Sequence, residues 1–414
     1  MAEGLCNTSC KKAVVAAGED RLSALPEDVI RLVLSFLSSC EAVRTCVLAA
    51  RWRNLWKSVP SLCISSCCGA DDFIDGLLRY RDCDAALHEC VILVEADCSD
   101  EFHRKADGWL RYVVSHKVRV LLFDMLNHDC GLPLSAGPLV SEHLTRLDLC
   151  RVGSKDFPLD VSGCQSLEEL EIRQSAVNIG STGTRFPKSL RLLRIRDVDF
   201  LPKDTRPYIS APGLLTLELV DCLGPTPFLS MPSLVMALIG VGHDCQRSYY
   251  CMACRGMSCA ECYGIDVCVL LKGLSSAVNL ELISLSSMIF RREIKWCPIF
   301  SNLKTLLLGE WFMTANFSGL VCFLQHSPVL EMLKLRLSIF SEKIETSEVY
   351  KPKKQFLVSK HLKAVEIICC ERVGKIDQIL NVLAYHGVKP ELINIERKPS
   401  IRCKAITTFY CYII

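Results

Sequence analysis

Leu144-Thr145-Arg146-Leu147-Asp148-Leu149, Leu167-Glu168-Glu169-Leu170-Glu171-Ile172 and Leu190-Arg191-Leu192-Leu193-Arg194-Ile195 repeat one phrase, L-x-x-L-x-L, at intervals of 23 residues. Upstream of this centre the phrase returns as Val118-x-x-Leu121-x-Phe123 and, weakly, as Val91-x-x-Val94. Downstream it returns as Leu214-x-x-Leu217-x-Leu219, Leu234-x-x-Ala237-x-Ile239, Leu280-x-x-Ile283-x-Leu285, Leu303-x-x-Leu306-x-Leu308, Leu330-x-x-Leu333-x-Leu335 and Leu362-x-x-Val365-x-Ile367. The first positions step by 27, 26, 23, 23, 24, 20, 46, 23, 27 and 32. The step of 46 is twice 23, which predicts one unit missing or disguised between Leu234 and Leu280.

A period of about 20–29 residues with this phrase is that of leucine-rich repeats. No unit can bury its pattern leucines alone, so the array must fold by stacking. The expected fold class is an α/β solenoid, a leucine-rich-repeat horseshoe over 118–358, with one short strand per unit. The residue between the last two pattern positions should point away from the core: Asp148, Glu171, Arg194, Glu218, Ser284, Leu307, Lys334 and Glu366. Their signs are mixed, so no basic stripe awaits a phosphate backbone. A protein target on this face is expected, and no nucleic acid.

Before the array, Ser23–Leu62 is dense with helix signals. Pro26 suits a first helical position, and Glu27 and Asp28 favour the helix dipole in the first turn. Ile30, Val33, Leu34 and Leu37 share one apolar face by spacing. Ser38 with Glu41 reads as a capping box for a second helix that buries Val43, Cys46, Val47 and Leu48. A third helix carries Trp52, Leu55 and Trp56 and stops before Pro60. Forty residues cannot bury three such faces among themselves, so the module needs a surface elsewhere in the chain or in another protein.

Leu25-Pro26-Glu27-Asp28, Ile30, Leu34-Ser35-Phe36-Leu37, Ala42-Val43-Arg44-Thr45, Val47-Leu48 and Arg51-Trp52-Arg53-Asn54-Leu55-Trp56 resemble the F-box of plant F-box/leucine-rich-repeat proteins. The sequence departs from that pattern at Cys40 and at Ala49-Ala50, where the family usually has a basic residue and Ser-Arg. The resemblance implies that Leu25, Pro26, Ile30, Leu34, Val43, Val47, Leu48 and Trp52 dock on a Skp-family adaptor, and through it on a cullin. For Trp52 and Trp56, packing between the F-box and the repeats is the alternative to adaptor contact. Residues 360–399 resemble the FBD-like region that follows the repeats in many such proteins. The implied layout is a flexible segment over 1–20, the F-box over 21–65, a helical linker with a first irregular repeat over 66–117, the repeats, an FBD-like region over 359–399 and an irregular tail over 400–414. The implied function is the substrate-recognition subunit of a ubiquitin ligase of the Skp–cullin–F-box type.

Composition sets limits beside this reading. The chain has 414 residues, half of them apolar, with 26 cysteines, a net charge of +2 and a mean hydropathy of +0.26. No apolar run approaches the roughly 18 residues of a spanning helix, so no membrane contact is expected. Without an export signal, the cysteines are expected as reduced thiols in the cytoplasm or nucleus. Cys251/Cys254 and Cys259/Cys262 form two C-x-x-C pairs in a cysteine-rich insertion near 243–268. Four thiolates can hold zinc, but only four residues separate the pairs, against about 12 or more in the usual sites. Metal and plain reduced thiols are both open there, with no cofactor as the main expectation. Catalytic signatures are not found: there is no G-x-x-x-x-G-K-[ST], H-E-x-x-H or G-x-S-x-G. A repeat scaffold outside any ligase, or a zinc or redox protein centred on 245–268, are the rival readings.

Overall fold

The computed structural model describes residues 25–65, 71–95, 99–126, 131–154, 156–180, 186–201, 205–224, 226–241, 269–284, 297–309, 312, 317–337, 358–370 and 376–398. The segment 1–20, the paired cysteines 251, 254, 259 and 262, and the tail 400–414 lie outside them.

Thirteen strands form one ladder in which each pairs, in parallel, with the next in sequence. They are β1 (Ser61–Ser65), β2 (Glu89–Val94), β3 (Val120–Met125), β4 (Arg146–Cys150), β5 (Glu169–Asn178), β6 (Leu192–Leu201), β7 (Thr216–Val220), β8 (Met236–Val241), β9 (Asn279–Ser284), β10 (Thr305–Leu308), β11 (Met332–Arg336), β12 (Ala364–Cys370) and β13 (Ile393–Lys398). The register follows the sequence phrase. Leu121, Leu147, Leu170, Leu193, Leu217 and Ala237 lie side by side and are all fully buried. Phe123, Leu149, Ile172 and Ile195 form the next buried row. The pattern positions therefore stack through the protein as continuous apolar rows, which no single unit could bury.

Four repeats turn alike after the strand. Arg151, Gln174, Asp197 and Asp221 all have left-handed backbones, with φ of 53°, 47°, 54° and 52°. Each sits seven residues after the first pattern leucine, so the bend is a property of the repeat. Beyond it β5 and β6 run on into a second short stretch, where Val198–Leu201 pairs with Ser175–Asn178. Two short parallel pairs stand outside the ladder: Val140–Ser141 with Gly163–Cys164, and Tyr208–Ser210 with Phe228–Ser230. At Gly163 a Cβ would lie 2.7 Å from the Leu139 carbonyl oxygen, so this approach needs glycine.

The frame departs from the sequence expectation in four places. Leu87-x-x-Cys90-x-Ile92 is the buried phrase of β2, not Val91-x-x-Val94, because a cysteine occupies a leucine position. One unit earlier, Val59-x-x-Leu62-x-Ile64 is also buried, so the ladder begins inside the span expected to be F-box alone. Within the span read as a helical linker with a first irregular repeat, the two helices expected there are present, and α3 (Asp71–Tyr80) and α4 (Asp100–Ser115) stand on either side of β2 in sequence. Ala277-x-x-Leu280-x-Leu282 is the phrase of β9, three residues earlier than read, so Glu281 and not Ser284 holds its outward position. Finally, no unit is missing between β8 and β9, which pair directly.

The N-terminal module holds two α-helices where three were expected. These are α1 (Glu27–Leu34) and α2 (Ser39–Arg44), followed by 3₁₀ turns at Thr45–Val47, Ala50–Trp52 and Leu55–Ser58. Thr45 Oγ1 donates to the Ala42 carbonyl at 2.7 Å, a back-bond that competes with continued α-helix. The Ser38/Glu41 capping box is present: Ser38 N donates to Glu41 Oε2 at 3.1 Å and Glu41 N to Ser38 Oγ at 3.3 Å. The Ser38 side-chain hydrogen bond, then the backbone one, hold the Glu41 carboxyl below its usual range. Pro26 stands at the N-cap, one residue ahead of the helix.

Candidate docking surfaces

α1 is apolar on two faces. Ile30 and Leu34, one turn apart, are 0% and 1% exposed, and with Ala42, Trp52, Leu55 and Val59 they belong to the same core as the repeat leucines. Leu25, Leu37, Val43 and Trp56 pack against that core while partly exposed. Arg31 ties the module together: its Nε donates to Ser58 Oγ at 2.9 Å, and its guanidinium pairs with Glu27 at 2.9 Å and Asp28 at 2.8 Å. α2 packs on β1, so the module covers the first edge of the ladder. Such an edge left bare would be open to another strand.

The opposite face of α1 carries Val29, Leu32 and Val33, and Phe36, in the turn just after the helix, continues their spacing of i, i+3, i+4 and i+7. They are 40%, 53%, 45% and 81% exposed. Val47 and Leu48 extend the exposed apolar surface at 83% and 69%. Six large apolar side chains turned outward within twenty residues are what a protein docking site requires.

The eight residues expected to dock therefore divide. Val47 and Leu48 are open to solvent, as is Pro26; Leu25 and Val43 are half-buried. Ile30, Leu34 and Trp52 lie inside the chain's own core, where Trp52 is 7% exposed, so they cannot meet a partner without leaving it. Sequence reasoning missed Val29, Leu32 and Phe36. Their 3–4 spacing was visible, but it competed with an equally good stripe, Ile30, Val33, Leu34 and Leu37, one residue out of phase.

The second candidate is the face of the ladder turned away from the core. Parallel sheets are usually covered on both faces, yet here the alternate residues are half-exposed along most strands. Across β4–β7 this face is a neutral lattice of arginines and carboxylates. Arg146 meets Asp148 at 2.9 Å; Arg194 bridges Glu218 at 3.1 Å and Glu171 at 3.9 Å; Arg196 pairs with Glu218 at 2.5 Å and Glu171 at 3.7 Å. Hydrogen bonding from Asp148 raises the Arg146 pKa further. At the N-terminal end the same row is apolar, with Cys63, Val91 and Leu122 in register. Toward the C-terminus it mixes Leu238 and Leu307 with Glu281 and a Lys334–Glu366 pair at 3.0 Å.

Three of the buried thiols, Cys90, Cys150 and Cys164, offer little chemistry. Burial pushes Cys90 and Cys150 up to about 12 and Cys164 up to about 11. A thiol that stays protonated is neither nucleophile nor metal ligand.

Comparison with known proteins identifies an F-box domain over residues 22–64. Along most of its length the chain is similar to the "MEIOTIC F-BOX protein MOF" of Oryza sativa subsp. japonica, 26% identical over 352 residues, covering 76% of this chain and 71% of that protein. It is likewise 26% identical over 390 residues to the F-box/FBD/LRR-repeat protein At5g22700 of Arabidopsis thaliana, covering 84% and 85%. A shorter match to the FBD-associated F-box protein At5g18780 of Arabidopsis thaliana reaches 44% over 73 residues, covering 16% and 17%.

Proposed function

We propose, for a chain of the plant F-box/leucine-rich-repeat kind with an FBD-like C-terminal region, that it is the substrate-recognition subunit of a Skp–cullin–F-box ubiquitin ligase. The carrying observation is the outward stripe Val29, Leu32, Val33 and Phe36 on a domain matched as an F-box. In this reading the inner face of α1 fastens the module to the repeats, while the outer face, with Pro26, Val47 and Leu48, docks on a Skp-family adaptor and through it on a cullin. The ladder curves into a solenoid whose open face holds a target protein. The chain itself performs no chemistry; holding target lysines near a charged ubiquitin enzyme supplies the rate by effective concentration. The cytoplasm or nucleus is the compartment where such a ligase would act.

The rival, a repeat scaffold outside any ligase, is favoured by the burial of Ile30, Leu34 and Trp52, which makes the module an N-terminal cap. The two readings part at the outer stripe, which a cap alone does not need. Co-purification of the full chain with a Skp-family adaptor, abolished by Val33→Asp while the fold persists, supports the ligase subunit. Equal recovery of adaptor with that variant, or none with the natural chain, overturns it.

A further inference from the structure

α5 (Ser318–His326) lies beside the segment 297–300 that leads into β10. Phe300 N donates to the His326 carbonyl at 2.9 Å, and the Phe300 and Phe323 rings meet with centroids 5.3 Å apart. These two contacts fasten the segment to the helix. Between them, Cys297 Sγ, Cys322 Sγ and an imidazole nitrogen of His326 all lie within 4.8 Å of one another. Cys297 and Cys322 are only 8% and 9% exposed.

We propose that Cys297, Cys322 and His326 form a zinc site that staples α5 to the strand-leading segment. Cys322 and His326 stand at i and i+4 on one helix, so both side chains rise from the same face. One ring nitrogen of the histidine is already engaged. Its Nδ1 lies 2.8 Å from the Cys322 carbonyl oxygen. A carbonyl can only accept, so Nδ1 carries the proton and Nε2 keeps the lone pair that a metal needs. Metal-bound histidines characteristically give their other N–H to such a partner.

The distances suit the ion. Zn–S of about 2.3 Å and Zn–N of about 2.0 Å at tetrahedral angles put ligand atoms roughly 3.5–3.8 Å apart, so the trio must close by no more than about 1.3 Å. Two sulfurs and an imidazole select a borderline-soft ion over magnesium or calcium. On binding, the two thiols release their protons, and a water completes the fourth position. The other close trio among the described residues, Asp82, Cys83 and Asp84, is wholly exposed on one turn and has no such preorganisation.

This site is separate from the C-x-x-C pairs, so the test removes those first. The full chain with Cys251, Cys254, Cys259 and Cys262 all replaced by Ser is purified under reducing conditions with added zinc, and its metal is measured by mass spectrometry. One equivalent of zinc is expected. Adding Cys322→Ser should bring this near zero, and His326→Gln should weaken zinc at least tenfold in chelator competition. Circular dichroism checks both folds. Cobalt in place of zinc should give the intense d–d bands of a tetrahedral ion and a thiolate charge-transfer band that His326→Gln alters, a readout from the folded chain alone. Zinc below a tenth of an equivalent, zinc and cobalt spectra unchanged by His326→Gln, or a Cys297–Cys322 disulfide without zinc would each overturn the site.

Discussion

Replacing Phe36 by Ala should separate docking from folding. Its side chain is 81% exposed, so in the free chain it contributes little to the core, and the substitution should change stability by no more than about 0.5 kcal/mol. In a complex the same ring has much to bury. A phenylalanine carries about 150–250 Å² of surface, and burying about 80–120 Å² more of it than an alanine would, at about 25 cal/mol per Å², is worth roughly 2–3 kcal/mol. That is a roughly 30–150-fold rise in Kd. Ile30→Ala should do the reverse. Ile30 is wholly buried, so truncation leaves a cavity and costs about 2–5 kcal/mol of stability, with no loss of affinity beyond the loss of folded chain. Calorimetric titration of a purified Skp-family adaptor, paired with urea unfolding of each variant, gives both numbers. If Phe36→Ala binds like the natural chain, or Ile30→Ala loses affinity while fully folded, the assignment of outer and inner faces is wrong.

Other consequences concern the scaffold. Glu218 joins Arg194 and Arg196 and is itself largely covered, so Glu218→Ala should cost about 1–3 kcal/mol in urea unfolding by leaving two guanidinium groups with Glu171 alone. Two glycines should answer oppositely to alanine in thermal melts. Gly108 is inside α4 with nothing within 4 Å of an added Cβ, so Gly108→Ala should gain about 0.5–1 kcal/mol. Gly224 has φ of +95°, and a Cβ would sit 2.8 Å from the Phe200 carbonyl oxygen, so Gly224→Ala should lose about 1–3 kcal/mol. The buried thiols predict alkaline weakening. Cys90 and Cys150, near 12 when folded against 9.0 in the open chain, bind more protons folded than unfolded above pH 9. Stability is therefore intact below about pH 8.5 and falls as pH rises toward the folded values; a urea midpoint that is flat from pH 8 to 10 would contradict this.

The ladder was legible because its signal is redundant. Between Leu144 and Leu219, nearly every inward position is Leu or Ile at a constant step, and each one proved buried. Legibility failed where chemistry disguised the phrase: Cys90 and Ala277 fill leucine positions and are fully buried, yet neither looks like leucine in a sequence. At β9 the true phrase also had a decoy, since Leu280 begins another L-x-x-I-x-L three residues on. The frame there was fixed by pairing with β8 and β10, a long-range fact that no local pattern contains.

The candidate site failed in a different way, and the reason bears on what the module is. A period of 3.6 residues identifies an apolar face when the rest of the helix is polar. Glu27–Leu34 offers Ile30 and Leu34 on one side and Val29, Leu32 and Val33 on the other, so periodicity finds a helix without saying which face turns inward. Tertiary packing chose Ile30 and Leu34, because the turn Leu55–Ser58 covers that side, with Arg31 bonded to Ser58. A helix that served only as a cap would carry charge where Leu32, Val33 and Phe36 stand, since exposed apolar surface invites aggregation without adding stability. The ambiguity that defeated the sequence reading is therefore the physical argument for a partner: α1 is apolar twice over, and the described residues of its own chain cover only one face.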